Sequence, residues 1–152
     1  FPPPSPAKVI NMVENEGFGS LAPVVCQITA DVEEALALCR SEWFAELRDI
    51  VIKLLEEATK GNIYQAFALI QDKWLITAKE REQTDIGLEL MLIVLKERLY
   101  QKLDRQEKQS HQQLARYMTL ILQAKQRLHA NVHPQLLLEQ LIIRMQEGSH
   151  RV

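Results

Sequence analysis

The stretch Leu88-Glu89-Leu90-Met91-Leu92-Ile93-Val94-Leu95-Lys96-Glu97-Arg98-Leu99 decides how the rest of the chain is read. It lies in a longer helical pattern from Lys79 to about Asp104, and its apolar residues cover nearly every side of that helix. A helix that is apolar all round is stable only when other elements surround it. The unbroken apolar run, Leu90 to Leu95, is far shorter than the roughly 18 residues of a membrane span, so a buried helix face in a globular protein is expected and no membrane contact.

The wrapping elements are predicted to be helices too. Alternating apolar and polar residues never persist long enough for a strand. Toward the C-terminus, Leu114, Tyr117, Met118, Ile121, Leu122 and Leu128 mark a helix from about Gln112 to His129. Asn131-Val132-His133-Pro134 breaks it, and Pro134 at a first helical position opens a last helix through Leu137, Leu138, Leu141, Ile142 and Met145. The polar stretch Asp104 to His111 reads as a turn or a frayed link, and the tail after Glu147 as loose.

Toward the N-terminus, Ser41-Glu42-Trp43-Phe44 opens a helix with Phe44, Leu47, Val51, Leu54 and Leu55 on one face, and Gly61 ends it. Asn62 starts the next, through Ala66, Phe67, Ile70 and Trp74. Three short helices precede these. Lys8 to Glu16 ends at Gly17 and Gly19; a second, capped by Ser20, carries Leu21, Val24, Val25 and Ile28; a third, capped by Thr29 or Asp31, carries Val32, Ala35, Leu36 and Cys39. The expected fold is all-α: a short three-helix segment over 1–40, then about five longer helices over 41–152. No fixed-period repeat supports a solenoid.

The composition is that of a globular domain, 47% hydrophobic and 25% charged, with net charge −2 over 152 residues. A near-neutral chain lacks the dominant basic face of a nucleic-acid module. Residues 1–60 carry 5 basic and 10 acidic side chains, and residues 61–152 carry 13 and 10. Cys26 and Cys39 fall in apolar helical patterns and are expected to be buried free thiols. Phe1-Pro2-Pro3-Pro4-Ser5-Pro6 is no signal peptide, which points to a cytoplasmic protein. It reads instead as a cut in or beside a linker of a longer protein.

A search for chemistry returns little. The five glycines form no phosphate-cradling motif. Ser149-His150 has no supporting acid. His129 and His133 have the i, i+4 spacing of metal ligands, but Pro134 disfavours helical geometry at His133, so a helix corner is expected. His111, in the polar link, is expected to be solvated. Glu33-Glu34, Glu56-Glu57 and Glu80-Glu82 lie on polar faces without the burial that tunes a catalytic carboxylate. Trp43, Phe44, Phe67 and Trp74 share faces with aliphatic residues and read as core, not as a base-stacking platform. Lys96, Arg98, Lys102, Arg105 and Lys108 are interrupted by Glu97, Asp104 and Glu107, the pattern of a surface laced with ion pairs. No catalytic residue, cofactor or metal site is expected.

Three segments carry a family resemblance. Asn131-Val132-His133-Pro134-Gln135-Leu136-Leu137-Leu138-Glu139 is close to the opening of the final helix in the delta-prime subunits of bacterial DNA polymerase III clamp loaders, of Bacillus-like type. Ala35-Leu36-Ala37-Leu38 followed by Glu42-Trp43-Phe44-Ala45-Glu46-Leu47-Arg48 resembles the passage from the lid of the ATPase module into the collar helix. Val9 to Gly17 resembles the start of that lid.

The resemblance implies that 1–40 is the helical lid of a truncated AAA+ module and 41–152 a collar domain. The collar would join other loader subunits in a ring, which acts on the sliding clamp and primed DNA; the parent holoenzyme is a DNA-directed DNA polymerase. In active loader ATPases an arginine of the third lid helix senses the nucleotide phosphates. Glu34 stands at the matching position, and a carboxylate there repels phosphate. This departure implies a subunit that hydrolyses no ATP. Collar assembly requires apolar residues beyond those filling the domain's own core, and Leu136, Leu138, Ile142 and Ile143 on the last helix are the candidate partner contacts. A free-standing helical ligand-binding or regulatory domain is the alternative; a helical enzyme ranks last.

Overall fold

A computed structural model describes residues 6–103 and 108–149. The chain is all-α, and no strand occurs among the described residues. It divides into two compact units, 1–46 and 47–152.

In the first unit, α1 (Pro6–Asn15), α2 (Ala22–Ile28) and α3 (Val32–Arg40) pack against one another. Val9, Val13, Ala22, Val24, Val25, Ala35, Cys39 and Phe44 are its buried apolar residues. Gly17, at φ 92°, ends α1 in a Schellman turn: Phe18 N donates to Val13 O at 3.1 Å and Gly17 N to Glu14 O at 3.0 Å. That turn leads straight into α2, because Phe18 O accepts from both Leu21 N and Ala22 N. Ser20 is therefore not the cap, contrary to expectation; Leu21 holds that position without a side-chain bond. Of the two candidate caps for α3, Asp31 takes the role, accepting from Glu33 N at 2.9 Å, while Thr29 Oγ1 accepts from Asp31 N at 3.0 Å.

α4 (Glu42–Lys60) gives the second unit Leu47, Ile50, Val51, Leu54, Leu55 and Ala58, all buried and all at three- or four-residue spacing. Its end repeats the device of α1. Gly61, at φ 83°, donates to Ala58 O at 3.3 Å and Asn62 N to Glu57 O at 2.9 Å. Only the backbone conformation demands glycine here, since a Cβ would merely touch Gln146 Oε1 at 3.5 Å. Gly61→Ala is expected to cost about 1–2 kcal/mol, the left-handed penalty of an L-residue, read as an earlier denaturant midpoint with unchanged slope.

The next run is helical throughout but not uniform: α5 (Ile63–Leu69), a π-helical turn (Ile70–Trp74) and α6 (Leu75–Thr77). Leu75 N reaches back five residues to Ile70 O. This wider winding keeps Ala66, Ile70 and Trp74, each four residues apart, buried on one line where a regular helix would carry them round.

α7 (Arg81–Leu103) is the central helix. Leu88, Leu90, Met91, Leu92, Ile93 and Leu95 are all buried, as its all-round apolar pattern predicts. It packs on α8 (Lys108–His129), which packs on α9 (Pro134–Ser149); α9 also contacts α5 and the π turn. α8 begins at Lys108, so the last part of the expected polar link is helix, and residues 104–107 lie outside the described residues. α8 ends in a third Schellman turn. Asn131, at φ 66°, donates to Leu128 O and Val132 N to Arg127 O. α9 starts at Pro134 as expected and continues past Glu147 to Ser149; the rest of the tail lies outside the described residues, as does the opening Phe1–Ser5. On α8, Leu114, Tyr117, Ile121, Ala124 and Leu128 are buried, but Met118 is half-buried and Leu122, expected on the same face, is 51% exposed.

Candidate functional site

Two features stand where the sequence placed function: the surface of α9 and the start of α3. On α9, Leu137, Leu138, Leu141, Ile142 and Met145 point into the second unit's core. The four candidate partner contacts therefore divide. Leu138 and Ile142 are 1% and 0% exposed and serve the fold, whereas Leu136 and Ile143 are 51% and 39% exposed. Leu136 and Ile143 are seven residues apart, two turns along one side.

Polar ties hold α9 in place beneath that surface. Gln71 Nε2 on the π turn donates to Glu139 Oε1 at 2.9 Å, and Gln135 Nε2 to the same oxygen at 3.2 Å. Gln146, buried near the other end, donates to Ala58 O at the C-terminal turn of α4. These contacts run residue numbers in opposite directions, so α9 lies antiparallel to the α5 run. Tyr64 and Ile76, 83% and 61% exposed, stand on that neighbouring run.

α7 and α8 are joined by charge. Lys125 Nζ pairs with Glu89 and lies 3.7 Å from Asp85 Oδ1, and His129 Nε2 lies 3.4 Å from the same oxygen. Arg81 donates to Leu128 O at 3.0 Å and Val132 O at 2.7 Å, pinning the corner between α8 and α9. No reading of charge in the sequence singled out these residues, because partners 36 to 51 positions apart leave no local pattern. His129 is thus drawn to Asp85 at the corner, and His133 is outside any helix. Among the described residues no three His, Cys, Asp or Glu side chains gather as a metal site. His111 is half-buried, not solvated, with its Nε2 enclosed and unbonded. Of the basic cluster, Lys96 is exposed and Arg98 half-buried; the side chains of Lys102, Arg105 and Lys108 lie outside the described residues.

At the start of α3, Thr29 Oγ1 donates to Glu34 Oε2 at 2.7 Å, so the Glu34 carboxylate is engaged by its own helix entrance. Glu33, Glu56, Glu80 and Glu82 are exposed, in line with solvated faces. Phe44 and Trp74 are buried as expected, while Trp43 and Phe67 are half-buried. Cys39 is buried, but Cys26 is only half-buried, with its Sγ donating to Pro23 O at 3.3 Å. Burial raises both thiols above their ordinary pKa, the opposite of nucleophile activation. Both are expected to alkylate slowly at pH 8, Cys39 more slowly than Cys26; mass spectrometry after timed iodoacetamide treatment reads the order.

No protein-family profile matches the chain, and no solved structure does. A curated relative does match: the DNA polymerase III subunit delta′ of Bacillus subtilis (strain 168), 34% identical over 155 aligned positions that take in 90% of this chain. The chain is similar to the C-terminal part of that delta-prime subunit. It spans 46% of that relative's length, about half. The match and the all-helical fold are those implied by the three segments quoted above. Among the described residues, no helix is long and apolar enough to cross a membrane.

Proposed function

We propose that this delta-prime-like chain is a scaffold in a DNA polymerase III clamp loader. Residues 1–40 form the helical lid of an AAA+ module, and 41–152 form a collar domain that joins other loader subunits. The assembly loads the sliding clamp onto primed DNA with ATP held elsewhere, and this part makes and breaks no bonds.

The similarity to the delta′ relative carries this reading. Two local observations support it. Glu34, where an active lid would present an arginine, is bonded to Thr29 and offers phosphate only negative charge. The exposed Leu136 and Ile143 lie on a helix whose other apolar residues already fill the core, leaving them for a partner.

Mixing the full-length parent with the other loader subunits and sizing the product tests the reading. A stable complex that loses its partners when Leu136 and Ile143 both become Asp is the expected result. Turnover of a small molecule by this chain alone, abolished by changing one polar side chain, would overturn it.

A further inference from the structure

A second surface is lined by α4 and the α5 run. α4 and the α5–π run, joined through the turn at Gly61, form an open cleft of about 340 Å³. That is at the lower end of the roughly 300–1,000 Å³ typical of ligand clefts, and suits one or two side chains better than a cofactor. Leu69 and Ala68 are its apolar lining residues.

The charge around them is ordered. Glu56 and Glu57 stand at the end near the turn, because α4 closes there. Lys53 on α4 and Lys73 on the π turn stand at the far end, where Asp72 also lines the cleft. Glu57 accepts from Asn62 Nδ2 at 2.7 Å, but among the described residues no ion pair engages Lys53, Glu56, Asp72 or Lys73. The cross-helix charges between α7 and α8, by contrast, have ion-pair partners within the unit. Unpaired charges of opposite sign at the two ends of an apolar trough define the complement that would fill it.

We propose that this cleft receives a helical segment of another subunit in the same assembly, one with an acidic residue, an apolar residue one turn on and a basic residue a further turn on. The acid meets Lys53 and Lys73, the apolar side chain covers Leu69, and the base meets Glu56 and Glu57. This rests on the scaffold reading and adds a contact distinct from Leu136 and Ile143.

Pairwise affinities of the full-length parent for each loader subunit, measured by calorimetry at two salt concentrations, test it. Lys53→Glu with Lys73→Glu should weaken one subunit at least tenfold, and the wild-type affinity for that subunit should fall as salt rises. Ala68→Trp, which fills the trough, should weaken the same subunit at either salt. All three positions are exposed, so melting temperatures should hold. If the parent assembles and both variants bind every subunit like wild type, the cleft proposal fails and the scaffold reading stands. If the parent binds no loader subunit, the scaffold reading fails and the cleft proposal with it. Self-association of the parent lost in these variants would make the occupant a second copy and overturn the proposal as stated.

Discussion

Gly87→Ala is expected to destabilise the second unit by about 2–3 kcal/mol, although alanine is the better helix former by about 1 kcal/mol. The sign is the point. Gly87 sits in the buried part of α7, and a Cβ added there would lie 2.7 Å from Cη2 of Trp74 and closer still to its Cζ2. The indole, wholly buried, lies against the missing side chain, with Nε1 donating to Thr84 Oγ1 at 3.2 Å inside the core. An aromatic ring in a filled core cannot retreat without opening space elsewhere, so overpacking outweighs helix propensity. Trp74→Ala should cost about 3–5 kcal/mol for lost burial and the cavity left behind. In the double variant the new methyl meets no ring, so the sum of the two single losses should exceed the loss measured for both together. Urea titration followed by far-UV circular dichroism gives all three values. A stabilised Gly87→Ala chain would mean that Trp74 does not pack there.

The same contact marks where the sequence stops being informative. The amphipathic faces of α4 and α8 are legible because a regular helix repeats its inward side every three or four residues. Gly17, Gly61 and Asn131 are legible as terminators because few other residues tolerate positive φ. The π turn is invisible by that rule: Ala66, Ile70 and Trp74 fit ordinary helical spacing closely enough to hide the wider winding. Gly87, inside a helix apolar all round, has meaning only once Trp74 is placed against it. Ser20 looked like a cap by residue type, yet the backbone carbonyl of Phe18 supplied the bonds. Arg81 and the Lys125–Glu89 pair depend on which helices become neighbours, which composition does not encode.

The candidate partner site shows the same division within one helix. Leu136, Leu137, Leu138, Leu141, Ile142 and Ile143 cover more than one face of α9, and the sequence cannot say which face has a neighbour in its own domain. α8 on one side and the α5 run on the other decide it. Gln71–Glu139 and Gln146–Ala58 fix the rotation of α9 between them, turning Leu138 and Ile142 inward and Leu136 and Ile143 outward.

That rotation predicts opposite outcomes for neighbouring aspartates. Leu138→Asp and Ile142→Asp each place a carboxylate at a site 1% exposed or less. Each loses the burial of a large aliphatic side chain, and the carboxyl group must be desolvated or protonated as well. A loss above about 4 kcal/mol is expected, most of the stability of a unit at the low end of the ordinary range of about 5–15 kcal/mol. Leu136→Asp and Ile143→Asp, whose side chains are 51% and 39% exposed, should cost only about 1–2 kcal/mol. Thermal melts of the four single variants separate the pairs. If Leu138→Asp melted like Leu136→Asp, α9 would be turned the other way, and the surface offered to loader partners would be the one now placed in the core.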